Sequence, residues 1–202
     1  MTQKIATTSV PVTNIIAGRW SPRAFDGARD LSVDEVLTLL EAARWAPSCF
    51  NDQPWRFVVC DRATNSGAWQ NLLDCLTEKN QLWAKNAPLL LLATAVPAFG
   101  HNDKPNRWHQ YDTGAASENI CLQASAMGLA AHQMGGFDID KTRATFGIPE
   151  DVALMAVIAV GHPGKLDELH EEFRDGELAA RVRKPLSEGF FSGTWGTPVA
   201  DS

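Results

Sequence analysis

The chain has 202 residues, 45% of them hydrophobic, and a formal net charge of −6. That length is enough for one substantial core and demands no second domain, while the acidic balance argues against nucleic-acid binding, which needs basic surface set against phosphates. The four cysteines, Cys49, Cys60, Cys75 and Cys121, form neither a Cys-x-x-Cys pair nor a zinc-like spacing with histidine. They read as reduced thiols and, with no basic start or apolar run in residues 1–11, point to a cytoplasmic protein.

Residues 12–18 admit a short helix. The first strong local signal is Ser32-Val33-Asp34-Glu35, a capping box in which the hydroxyl takes an orphan amide and the glutamate reaches back to the cap residue. Val33, Val36, Leu37, Leu40 and Ala43 then recur at helical spacing until Pro47 closes the pattern. Residues 55–60 read as a strand, and 66–76 and 81–86 as helices. The run at 89–96 lies in an apolar segment about half as long as a membrane helix and reads as a buried central strand. A longer helix is predicted over 106–127, with Tyr111, Ala115, Ala116, Ile120, Leu122 and Ala126 available for packing and Gly128 placed to end it. Residues 130–134 read as a strand, 138–146 as a short helix closed by Gly147, and 153–160 as a buried strand. Helices and strands alternate only loosely, which predicts an α+β fold with a sheet covered by helices rather than a regular doubly wound one. Beyond Gly161 the character changes. Residues 166–181 are charged and read as helical, and the remainder is rich in glycine, proline and aromatics, with too little apolar surface for a core of its own.

Three stretches offer chemistry. In an extended chain, Arg19, Ser21 and Arg23 point to one side, and Arg181 and Arg183 repeat that alternation. Guanidinium groups grip phosphate through forked, charge-assisted hydrogen bonds. In an acidic chain these clusters are either solvated surface charge or two halves of a small-anion site, and spacing leaves both open. The loop Ala46-Pro47-Ser48-Cys49-Phe50-Asn51-Asp52-Gln53-Pro54 interrupts a helix and runs into a strand. Asn51 and Gln53 carry donors and acceptors together, suited either to satisfying the loop or to reading the edge of a flat polar ring. Met134-Gly135-Gly136-Phe137 joins strand to helix; it is either a simple turn or a place where backbone amides approach a ligand. Gly161-His162-Pro163-Gly164 reads as a structural turn. His101, His109, His132 and His170 make no metal-ligand pattern, and His109 with Asp112 reads as a solvated pair on one helical face. Trp108 and Tyr111 suit a core or the wall of an acceptor pocket. Neither a dinucleotide fingerprint nor a phosphate-binding Gly-x-x-x-x-Gly-Lys loop is present.

Taken in order, Arg-x-Ser-x-Arg at 19–23, Pro-Ser-x-x-Asn-x-Gln-Pro-Trp at 47–55 and Arg-x-Arg at 181–183 make the chain resemble the nitroreductase family of FMN-dependent oxidoreductases over about residues 15–195. The resemblance implies a nitroreductase-like α+β fold: a central mixed sheet covered by helices, in one FMN-binding domain over 1–202. Its C-terminal arm, about 165–202, would pack on the partner subunit of a homodimer. By the same resemblance Arg19 and Ser21, with Trp20 between them, would meet the phosphate and ribityl chain. Arg23 would lie near the pyrimidine edge, and Arg181 and Arg183 would close over the phosphate. Asn51 and Gln53 would read the flavin edge, while Pro47, Ser48 and Cys49 would approach a flavin held mainly by the other subunit. Cys49 stands where serine is commoner in the family. Gly135 and Gly136 would face flavin N5. The implied activity is ping-pong hydride transfer from NADH or NADPH to a small oxidised acceptor: a nitroaromatic, a quinone or an activated alkene. The same scaffold also supports dehalogenation, oxidation or flavin breakdown, for which residues 97–108 would supply a short lid. A flavin-binding sensor without turnover is the reading from a different class.

Overall fold

The computed structural model describes residues 4–200. Its helices are α1 (Asn14–Gly18), α2 (Val33–Arg44), α3 (Ser66–Cys75), α4 (Glu78–Ala84), α5 (His109–Ala126), α6 (Ile139–Phe146), α7 (Glu171–Leu178) and α8 (Leu186–Gly189). The strands β1 (Trp55–Asp61), β2 (Leu89–Ala95), β3 (Ala130–Met134) and β4 (Ala153–Gly161) form one sheet in the order β1-β2-β4-β3. Every pairing in it is antiparallel, so the α+β class holds but the sheet is not mixed. A parallel neighbour needs a crossover connection that returns the chain to the starting end. Here two helices, α3 and α4, join β1 to β2 and deliver the second strand from the opposite end.

β2 is buried along its whole length. Because side chains alternate across a strand, its leucines divide between two cores. Leu90 and Leu92 join Trp69, Leu72, Trp83, Met134 and Val157, whereas Leu89 and Leu91 join Val36, Leu39, Ala116, Ile120 and Ile158. The sheet is thus sandwiched, with α3 and α4 on one face and α2 and α5 on the other. Each buried leucine contributes roughly 1.5–3 kcal/mol, which makes β2 the element around which both layers assemble.

The capping box forms as read: the Ser32 hydroxyl accepts from the Glu35 amide at 3.2 Å, and Glu35 accepts from the Ser32 amide at 2.8 Å. The buried face of α2 is narrower than its apolar pattern. Val36, Leu39 and Ala43 are buried, but Val33 is exposed and Leu37 is 56% exposed, because the apolar stripe is wider than the sheet it covers. Leu37 and the exposed Trp45 line an open groove of about 810 Å³ that also takes in Gln123 of α5.

On α5 the buried line is Asp112, Thr113, Ala116, Ser117, Ile120, Cys121 and Ala124. Tyr111 is 79% exposed and Ala126 is exposed too, so a stripe chosen by apolar residues alone misses a contact made largely of small and polar ones. Those small residues let α2 come close enough for Asn119 Nδ2 to donate to the Ala42 carbonyl at 3.0 Å.

The predicted helix over 166–181 is broken. Leu169 is buried and extended, which ends a 3₁₀ turn at Leu166–Glu168 before His170 caps α7. The Gly161 to Gly164 turn is structural: Asp26 N donates to the His162 carbonyl and Gly164 N to the Ala24 carbonyl. A Cβ on Gly164 would lie 2.5 Å from the backbone carbon and oxygen of Phe25, so only glycine lets residues 24–26 lie along this turn. No described helix is long and apolar enough to cross a membrane. All four cysteines are free, and burial pushes the Cys60 and Cys121 thiols up to about 11, which leaves them as packing groups.

Candidate active site

Residues 19–23 run extended beside the edge strand β3, where His132 Nδ1 lies 3.0 Å from the Pro22 carbonyl. Arg19 Nε pairs with Glu118 Oε1 on α5 at 3.0 Å. The Arg23 guanidinium lies over the rings of Trp83 and Phe173, at 6.0 and 5.6 Å. Trp20 carries Lys4 Nζ 4.4 Å from its ring centre, and Ser21 is exposed.

The C-terminal segment straps this motif down. Glu177 of α7 is only 8% exposed; it accepts from the Arg23 amide at 3.0 and 3.1 Å and from the Ala24 amide at 3.2 Å. Four residues on, Arg181 Nη1 donates to the carbonyls of Lys4 (2.7 Å) and Ala17 (2.6 Å), and Nη2 to that of Arg19 (2.7 Å). Desolvation lowers the pKa of Arg181, and the charges of Arg19 and Arg183 lower it further. Arg181 is therefore within electrostatic reach of both Arg19 and Arg183. Their roles differ. The Arg181 fork is taken up by main-chain carbonyls, whereas Arg183 donates to its neighbour's carbonyl, Val182 O, and has no carboxylate partner among the described residues.

The second part of the site is the loop between α2 and β1. Phe50, Asn51 and Gln53 have φ of 54°, 55° and 52°, the left-handed region, which costs of order 1–3 kcal/mol per non-glycine residue. Arg56 Nη1 donates to the Gln53 carbonyl at 3.0 Å, and four further bonds close the turn. Gln53 N donates to Ser48 Oγ at 3.0 Å, Asn51 N to Ser48 O at 3.0 Å, Asp52 N to Cys49 O at 3.1 Å, and Cys49 N to Asp112 Oδ2 at 3.0 Å. Asp112 is thus a buried anchor and not half of a solvated pair, and His109 turns its Nδ1 to the Asn106 carbonyl instead. Gln53 Nε2 donates to the Asn51 carbonyl and side-chain oxygen at 3.1 and 3.3 Å. This leaves the Asn51 amide group and the Gln53 oxygen without a protein partner among the described residues. Pro47 is exposed beside them. No hydrogen bond among the described residues joins this loop to Arg19, Arg23, Arg181 or Arg183. It is anchored at Asp112, six residues along α5 from Glu118, about 9 Å by helix rise.

The two glycines after β3 also divide. The Gly136 carbonyl accepts from Thr77 N and Asn80 Nδ2, both at 3.0 Å, and a Cβ there would lie 2.7 Å from Asn80 Nδ2. Gly136 therefore holds the end of β3 against α4. Gly135 is exposed, with nothing within 4 Å of where its Cβ would be.

Motif reading alone missed Glu177 and Glu118 and took Asp112 for a solvated residue. Glu177 stands among several acids in a charged helix, and nothing local marks it.

Burial pushes His132 down to about 4, helped by the Arg23 charge and opposed by hydrogen bonds to the Pro22 and Ser21 backbone. It is neutral in the folded protein, while the unfolded chain titrates near 6.5. As pH falls from 6.5 towards 4 the unfolded state binds the extra proton, so stability is lost at up to about 1.4 kcal/mol per pH unit. Urea unfolding from pH 7 to 4 is expected to show His132→Gln losing about 2–3 kcal/mol less than the parent over that range. Equal losses in parent and variant would contradict a buried neutral imidazole.

Residues 16–162 match the model of the Nitroreductase family. A solved structure described as an oxidoreductase containing FMN superposes with a TM-score of 0.86 at 35% identity, covering 95% of this chain and 96% of that one. A 15.4 kDa protein of Mycolicibacterium smegmatis is 32% identical over 149 residues, 71% of this chain and 99% of its own length. The oxygen-insensitive NAD(P)H nitroreductase of Salmonella typhimurium is 25% identical over 194 residues, 75% of this chain and 88% of its own. The match takes in the arginine motif, the strained loop and all four strands of the sandwiched sheet, and by it the chain belongs to the nitroreductase family.

Proposed function

We propose that the protein is an FMN-dependent oxidoreductase that takes hydride from NADH or NADPH and delivers it to a small oxidised acceptor in the same pocket. The observation that carries this reading is the bond from Arg181 Nη2 to the Arg19 carbonyl, which brings the late Arg181–Arg183 pair to the Arg19 motif in an otherwise acidic chain. Among the described residues, Glu118 is the one carboxylate paired with them. The donor set fits a phosphate monoester, because a dianion offsets the mutual repulsion of three guanidinium groups. In this reading Arg19 and Arg183 supply forked donors and Ser21 a hydroxyl. Arg181, bound to the Arg19 carbonyl, sets where the first of them points.

Bound FMN supplies the two-electron chemistry that the side chains lack. The chain binds and orients it. The free Asn51 amide and Gln53 oxygen offer the donor and acceptor that a flavin edge requires, Gly135 leaves open space for close approach, and Arg23 places positive charge near the pyrimidine edge. With a quinone as acceptor, NAD(P)H gives up a hydride and the quinone gains that hydride and one solvent proton. No protein acid or base is needed.

In this reading the protein works as a homodimer. The exposed Leu37 and Trp45 groove on α2 offers a surface for the second copy. In the C-terminal arm Glu177 and Arg181 bind their own chain, while Leu186, Phe190 and Trp195, the last 90% exposed, offer apolar surface for a partner.

The test is anaerobic bleaching of the yellow protein by NADH or NADPH, followed by mixing with a panel of quinones, nitroarenes and alkenes. Bleaching and recovery, with parallel double-reciprocal lines at steady state, are expected. Bound FMN that neither nicotinamide bleaches would make the protein a binder and not an enzyme.

A further inference from the structure

We propose that Asp52 is a positioning residue that ties the strained loop to residues 97–108 and so builds an aromatic wall that selects planar, ring-bearing acceptors. The inference rests on the flavin reading above. Asp52 Oδ1 accepts from Gly100 N at 2.8 Å and Oδ2 from Asn106 Nδ2 at 3.2 Å. Asn106 is buried and is itself fixed: its amide donates to the Pro97 carbonyl at 2.7 Å, and its Oδ1 accepts from Trp108 N at 3.0 Å.

Across this tie the rings meet. Phe50 lies edge-on to Phe99 at 5.8 Å and to His101 at 6.0 Å, and Phe99 stands 5.3 Å from His101 and 6.4 Å from Trp108. Phe50 is 80% exposed while held at positive φ. Phe50 touches these rings by its edge, leaves most of its surface in solvent, and is the residue before Asn51. An acceptor with its own π-face gains from stacking on such rings. A small alkene does not.

Two separate sets of bonds are involved. The turn that presents Asn51 and Gln53 is closed by Ser48, Cys49 and Asp112, whereas the Asp52 carboxylate reaches only Gly100 and Asn106. Cutting the second set releases the wall and leaves the turn.

The experiment compares naphthoquinone with cyclohexenone as acceptors for the FMN-loaded protein. In Asp52→Asn the new NH2 group meets either Gly100 N or Asn106 Nδ2 donor to donor, so one of the two bonds is lost. This variant is expected to lose about three- to tenfold in kcat/KM for naphthoquinone, through KM. Its cyclohexenone kinetics, FMN affinity and rate of bleaching by NAD(P)H stay at parent values. Combining Asp52→Asn with Asn106→Asp exchanges donor and acceptor, keeps an oxygen for Trp108 N, and restores the naphthoquinone KM. Phe50→Ala gives the same selective loss without touching the tie. If these variants hold FMN yet keep the parent ratio between the two acceptors, the wall does not select and the flavin reading stands. Loss of FMN in Asp52→Asn also overturns the proposal, since it would show that the two sets of bonds are one. A parent that binds no FMN sinks the underlying reading itself.

Discussion

Replacing Glu177 by alanine is expected to cost about 2–5 kcal/mol of stability and to weaken FMN binding by roughly tenfold. The carboxylate is nearly enclosed and serves two amides, those of Arg23 and Ala24. Its loss leaves both buried or half-buried donors unsatisfied, at about 1–3 kcal/mol each. The cofactor effect is indirect: without the strap the backbone between Arg19 and Arg23 loses its anchor, and the guanidinium groups no longer start from a fixed geometry. Glu177→Gln keeps one acceptor and is expected to lose about half as much stability. Urea unfolding with and without FMN, together with flavin fluorescence titration, measures both effects. An alanine variant as stable as the parent would mean that α7 is not held to the motif by this carboxylate.

The arginines are expected to separate into two kinds. Arg19→Ala and Arg183→Ala each weaken FMN by about one to two decades, because a hydrogen bond to a charged group contributes about 1.5–3 kcal/mol. Both variants fold normally, and the deficit shrinks as salt screens the site. Arg181→Ala behaves differently. It leaves the carbonyls of Lys4 and Arg19 without a donor and that of Ala17 with the Ala6 amide alone, so it destabilises the chain and loosens FMN as a consequence. Arg181→Lys does not rescue it, since an ammonium cannot span three carbonyls in the planar geometry of the fork. FMN affinities at two salt concentrations, set beside unfolding midpoints, distinguish the two kinds. A variant at Arg181 that loses affinity with unchanged stability would return that residue to direct phosphate contact.

What was legible in the sequence was local. The Ser32 capping box, the Gly128 and Gly147 helix ends and all four strands could be read because each depends on neighbours a few residues away. The buried face of α2 or α5 could not, since the partner surface decides it: Leu37 and Tyr111 carry apolar mass yet lie in solvent, while Asp112 and Ser117 are buried. The direction of the strands failed for a similar reason, as loose alternation of helix and strand does not say how many helices one connection contains. In the site, motif order was enough to find the family. It did not show that Arg181 binds main chain, nor that Glu177 and Asp112 matter, because their partners lie 154 and 63 residues away. Long-range satisfaction of backbone donors leaves no periodic trace.

The most direct measurement of the central claim is a titration of flavin-free protein with FMN and, in parallel, with riboflavin, which has the same ring and no phosphate. FMN is expected to bind one per chain and about a hundredfold more tightly, the gap narrowing when Arg19 and Arg183 are both replaced by alanine. Equal affinity for the two flavins, or none for either, would contradict a phosphate site built where the arginines meet.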